Sequence, residues 1–218
     1  MAGKMDEMVS GGSAEEAVSE SEGAGTALDI YSREAQFSSE DVYIPQLRLA
    51  QGLTKEVQDG SARPGQFLVQ GFAPEEDVTL VPVAYAKLRE YRDPDDGSQM
   101  LCFSRDAITG EGDPGGDCAS CPLNAWTPNP DKPGKNKPPV CKQIYGYLFY
   151  SEQHDAITSF RFKGMGIKAG KLLNTIVNHH GLRKVVIKLS SEQRTGKAGS
   201  YYVAQVSVVA NPDETLLA

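Results

Sequence analysis

Apolar and polar residues alternate through DVTLVPVAYAKLREYRD (77–93), which predicts a long strand with Pro82 interrupting one ladder position. SQMLCFS (98–104) reads as a short strand. CKQIYGYLFYSE (141–152) and AITSFRFKG (156–164) read as two more, joined by the turn SEQHDA. The period then changes. In GIKAGKLLNTIVNHHG (166–181), Ile167, Leu172, Leu173, Ile176 and Val177 form an apolar stripe at helical spacing, and Gly181 is a natural stop. RKVVIKLSS and SYYVAQVSVVA return to strand alternation, with EQRTGKAG (192–199) between them predicted as a basic, glycine-containing loop. Before all of these, YIPQLRLAQGLTKEVQDGSARPGQFLVQG (43–71) mixes short apolar runs with Gly and Pro. It reads as an irregular arm across a domain surface, ending in a short strand near 67–69.

The order is three strands, a helix, then a hairpin, with an insertion after the first long strand. A mainly β fold follows, with one helix between strands 3 and 4. The same order belongs to the OB-fold, a five-stranded Greek-key β-barrel that binds single-stranded nucleic acids and oligosaccharides; other α+β folds share it. The expected domain runs over 42–211. The 41 residues before it are rich in Ser, Gly, Ala and Glu and are expected to be a disordered acidic tail. Residues 212–218 form a short C-terminal tail.

The formal net charge of −7 hides a segregation. Residues 1–41 hold ten acids and two bases, a local −8. Residues 132–205 hold 13 bases and three acids, a local +10. A segregated basic segment is the footprint expected for a polyanion partner, and equally of a solvated surface whose charges balance in three dimensions. No apolar run approaches the ~20 residues of a membrane helix, and the first residues carry no apolar signal core. The expected compartment is a reducing cytoplasm.

All four cysteines, Cys102, Cys118, Cys121 and Cys141, fall within one segment rich in Gly and Pro. A C-x2-C turn presents two thiolates to one tetrahedral ion, and two more ligands close the shell. The segment is too poor in apolar residues to order itself by burial, so one structural Zn²⁺ bound by these four side chains is expected to stabilise an insertion spanning 102–141. Two disulfides would need an oxidising compartment. A redox C-x2-C would need a βαβ context that is missing. Four thiolates leave no open position, which makes the expected site structural. His154, His179 and His180 lie outside the cluster, and capping or surface roles fit them.

Strand alternation puts Tyr85, Lys87, Arg89 and Tyr91 on one face of the first strand, opposite Val78, Leu80, Ala84, Ala86 and Leu88. Tyr145, Tyr147 and Phe149 share a face, as do Arg161 and Lys163. Rings among bases are how single-strand binders hold nucleic acid: bases stack on the rings while Lys and Arg follow the phosphates. Arg194 and Lys197 in the predicted loop join this set. The same rings would also serve to pack beneath the arm. No phosphate loop, H-E-x-x-H or nucleophile triad is present, and carboxylates are sparse in the basic half, so no enzymatic activity is expected.

IPQLRLAQG, ARPGQFLVQG, VTLVPVAYAK, CFSRDAITGEG, GGDCASCPLNAW and PPVCKQIYGYLF together resemble a group of tailed-bacteriophage single-stranded DNA-binding proteins that carry a zinc-binding insertion in an OB-like domain. The resemblance spans roughly 43–180, and the cysteine pattern is its most specific part. It implies single-stranded DNA binding, zinc held by the four cysteines, and coating of DNA during phage replication or recombination. Proteins of this kind often recruit replication or recombination enzymes through an acidic C-terminal tail. Here the acidic segment is N-terminal, where it would recruit such enzymes or shield a basic groove. The competing expectation is a zinc-ribbon module that docks on a protein of the replication or transcription machinery.

Overall fold

A computed structural model describes residues 43–196 and 199–210. The expected acidic tail over 1–41, the C-terminal tail over 212–218 and the predicted contact residue Lys197 lie outside the described residues. The chain forms β1 (Arg48–Leu49), α1 (Lys55–Gln58), β2 (Phe67–Leu68), β3 (Val78–Arg92), β4 (Met100–Ser104), β5 (Thr109–Gly112), β6 (Gly116–Asp117), β7 (Thr127–Pro128), β8 (Asn136–Lys137), β9 (Lys142–Ser151), β10 (Ala156–Phe162), α2 (Ile167–His180), β11 (Val186–Gly196) and β12 (Gly199–Ala210). The fold is mainly β, with one long helix lying between the third and fourth long strands. No helix among the described residues is long and apolar enough to cross a membrane.

The long strands pair antiparallel in the order β10-β9-β3-β11-β12. β3 is the axis of the molecule. Its first residues pair with β11, its middle with β9, and its last turn toward β4 and the insertion. The pairings do not close into a barrel, because β10 and β12 do not bond to each other. The N-terminal arm lies at that seam. Leu47 N–H donates to the Ser159 carbonyl at 2.9 Å on the β10 side, and Ser159 N–H donates to the Pro45 carbonyl at 2.9 Å. On the β12 side, the Gln51 side chain accepts from Tyr202 N–H at 2.9 Å and donates to its carbonyl at 3.0 Å. The arm thus satisfies backbone groups that an open sheet would leave unpaired.

The core joins Val78 and Leu80 of β3, Tyr145, Tyr147 and Phe149 of β9, Phe160 and Phe162 of β10, Leu173 of α2, and Ile187 and Leu189 of β11, with Leu47 and Phe67 from the arm. α2 closes over it at Gly170. A Cβ there would come within 2.7 Å of Phe162 Cβ and 2.8 Å of Tyr145 Cδ2, closer than side chains tolerate, so only glycine lets the helix approach.

Two local expectations change. A register shift between Pro82 and Ala84 interrupts the β3–β9 ladder, so the face that carries Val78 and Leu80 before the bulge carries the odd-numbered residues from Tyr85 onward. The strand is therefore not aliphatic along one side for its whole length. Second, the predicted loop EQRTGKAG is largely strand. β11 runs on to Gly196 and β12 starts at Gly199, so Arg194 lies in the ladder opposite Tyr201.

Candidate metal centre and nucleic-acid interface

Residues 102–141 fold with little burial. Cys118 is the only buried apolar side chain among them. Local hydrogen bonds set their path instead. Asp106 Oδ1 accepts from Ile108 N–H at 2.8 Å, from Thr109 N–H at 2.9 Å and from the Ser104 hydroxyl at 2.9 Å. These bonds hold the Asp106 carboxyl below the usual aspartate range. Cys118 N–H donates to the Ile108 carbonyl at 2.8 Å, and Cys141 N–H to the Leu123 carbonyl at 3.0 Å.

The result brings the expected ligands together. Cys102, Cys118, Cys121 and Cys141 are free thiols and line one cavity of ≈ 10 Å³, about the room of a single water-sized sphere. Cys102 comes from β4, directly opposite Tyr91 of β3. Cys118 and Cys121 flank the tight turn, and Cys141 precedes β9. The side chains are not drawn up as a coordination shell: among the described residues, no group of three or more His, Cys, Asp or Glu is arranged to hold a metal ion.

Three observations bear on whether zinc fits. Four thiols lining a small cavity are a donor set that would suit zinc. Arg89 lines the same cavity, and its Nε is buried with no hydrogen-bond partner among the described residues, leaving a donor for a thiolate sulfur. Burial pushes the Cys141 thiol up, while the Arg89 guanidinium pulls it down and the neighbouring Cys118 and Cys121 push it up. The Cys141 thiol would resist ionising unless a further cation lay beside it.

Arg89 therefore faces the cysteines rather than solvent. Its guanidinium donates to Asn124 Oδ1, and Asn124 Nδ2 donates in turn to the Cys118 carbonyl at 2.9 Å. The residue expected to follow phosphates instead ties β3 to the insertion. Tyr91, half-buried, lines the same cavity.

The other predicted nucleic-acid contacts separate. Tyr145, Tyr147 and Phe149 are 7%, 2% and 0% exposed and belong to the core. The Tyr147 hydroxyl donates to Asn174 Oδ1 on α2, and burial lifts its phenol well above the ordinary tyrosine range. Rings this covered offer no face to a base. The alternation that suggested a platform was correct as a shared face, but α2 covers that face. Tyr85 sits at its edge, 41% exposed, with its ring 5.0 Å from that of Tyr147. Lys87 is exposed one pleat further on, opposite Tyr145. Arg161 is exposed on the opposite side of the sheet, across from Gly146. Lys163, also exposed, reaches Glu90 at 3.4 Å. Arg194 pairs with Glu192 at 2.9 Å within the β11–β12 hairpin. These residues do not form one continuous surface.

A different surface emerges between the insertion and the start of α2. Trp126, Pro138, Pro139 and Lys142, together with Lys171 of α2 and Arg89 of β3, line one open groove of ≈ 360 Å³. Trp126 is the chain's only tryptophan, and it is 64% exposed. Its place directly after CPLNA and the lysines of the basic segment were visible in the sequence. Their meeting was not, because it depends on how the insertion folds back toward the helix. His154, expected at the surface or at a cap, has a side chain only 3% exposed; it bonds Glu75 at 2.7 Å and the Ser151 hydroxyl at 3.1 Å. His179 and His180 are exposed at the end of α2.

No protein-family model matches the chain, and no curated protein or solved structure matches it either.

Proposed function

We propose that this chain is a non-catalytic single-stranded DNA-binding protein built on an OB-like domain, with one structural Zn²⁺ held by Cys102, Cys118, Cys121 and Cys141. The observation that carries the reading is the strand order β10-β9-β3-β11-β12 with α2 between the third and fourth long strands. That order supports reading the domain as OB-like, a Greek-key arrangement left open along one seam where the arm lies. The exposed ring of Tyr85 beside Lys87 is the kind of surface that sequence-tolerant single-strand binders use. The metal would supply the folding energy that the insertion lacks in apolar burial. Coating and protecting strands during phage DNA replication or recombination is the role the family resemblance implies, with the N-terminal acidic segment serving to recruit other replication or recombination enzymes. The cytoplasm of the host cell is where such a protein would act.

One observation favours the rival reading, a zinc module that docks on another protein. The insertion exposes Ile108 at 66% and Val140 at 51% as well as Trp126, and apolar exposure of this kind suits a protein contact. A gel-shift comparison separates the two. Full-length protein is expected to retard labelled oligo-dT and to leave a duplex of the same length unshifted at equal concentration. Retardation of neither, from protein that contains zinc, would refute single-strand binding and favour the docking module.

A further inference from the structure

We infer that the groove between the insertion and α2 is the strand-binding track, and that Trp126 is its principal base-stacking residue. This rests on the single-strand reading and names the site within it. Of the rings expected to stack on bases, those of β9 are sealed in the core, Tyr91 is half-buried, and Tyr85 is 41% exposed. Trp126 keeps most of its surface in solvent, although an indole of that size is normally well buried. Its neighbours Pro138 and Pro139 are stiff and apolar, so they shape a slot without filling it.

The charges complete the argument. Lys142 and Lys171 both line the groove, and neither makes an ion pair among the described residues. Lys142 is instead steadied by donating to the Pro139 carbonyl at 2.8 Å. Two unpaired lysines and an open indole lining one groove match a chain of phosphates that presents an unstacked base. A duplex keeps its bases stacked and offers none to the indole. The insertion is then one jaw of the binding site, and Arg89 is a positioning residue. Through Asn124 it fixes the segment that carries Trp126 against β3.

Because Trp126 is the only tryptophan, its fluorescence reports on the groove alone. Full-length protein would be titrated with fluorescein-labelled oligo-dT, reading label anisotropy and indole emission together. Binding is expected to quench the indole. W126A is expected to weaken affinity about tenfold, the low end of one lost base stack, while W126F retains most of it. K171Q should lower the slope of log affinity against log salt by about 0.7, the counterion release expected per phosphate of a single strand. Circular dichroism of each variant would establish that it is folded. Anisotropy that rises with the indole unquenched and W126A binding as tightly as the parent would overturn the groove and leave single-strand binding standing. Anisotropy that stays flat for the parent protein would remove both.

Discussion

Arg89 shows how a residue's type can be legible while its task is not. Its position in an alternating strand beside Tyr91 suggested a phosphate contact. Its partners are Asn124, 35 positions along the chain, and the cysteine cavity. Spacing along one strand carries no information about what a distant loop lays against it. Tyr147 and Phe149 teach the same lesson. Their shared face was readable from period-2 alternation, but the cover that α2 provides through Gly170 was not. Gly112 makes a direct residue-level test. Its φ is +107°, and a Cβ would lie 2.1 Å from the Leu101 carbonyl oxygen. Backbone on one side cannot give way as a side chain can. G112A is expected to destabilise the protein by at least about 2 kcal/mol, from the strained backbone together with the clash. The drop would be read in the urea midpoint; an unchanged midpoint would mean that the turn from β5 is free to re-form.

At the scale of elements, the long strands and α2 stood out in the sequence because each pays into burial through its own period. The short ladders β5 to β8 did not, since pairs of two residues held by Asx-type bonds leave no hydrophobic pattern. The bulge after Pro82 was announced only as a broken ladder position, and its consequence, a swap of faces along β3, needs the partner strand to define it. The insertion and the sheet differ in what holds them: the sheet has a contiguous apolar core, the insertion has Cys118 alone. Metal removal should therefore act on one and spare the other. Chelation with a thiol-protecting reductant present is expected to release one zinc per chain, shift Trp126 emission toward that of a solvated indole, and leave the far-ultraviolet β spectrum nearly unchanged. A protein purified without zinc, with the same indole emission before and after chelation, would contradict the four-cysteine site.

For the whole molecule, the order of long strands and helix along the chain was legible; their pairing and the open seam were not. Closure depends on whether β10 reaches β12, and the arm's bonds to Ser159 and Tyr202 join positions that no local pattern links. The charge segregation along the chain was plain, and part of the basic segment converges: Lys142 and Lys171 face the groove, and Lys87 is exposed on the adjoining β3. Other bases are spent elsewhere, Arg194 on Glu192 and Lys188 on Asp77. The electrostatic contribution should accordingly be moderate in spite of the local excess of base. Three lysines, at roughly 0.7 counterions released per phosphate neutralised on a single strand, give a slope near −2 for log affinity against log salt. The central claim is met most directly by anisotropy of labelled oligo-dT with the intact full-length protein over a series of salt concentrations. The account expects saturable binding that weakens with a slope of about −2. The absence of saturable binding even at the lowest salt would contradict it.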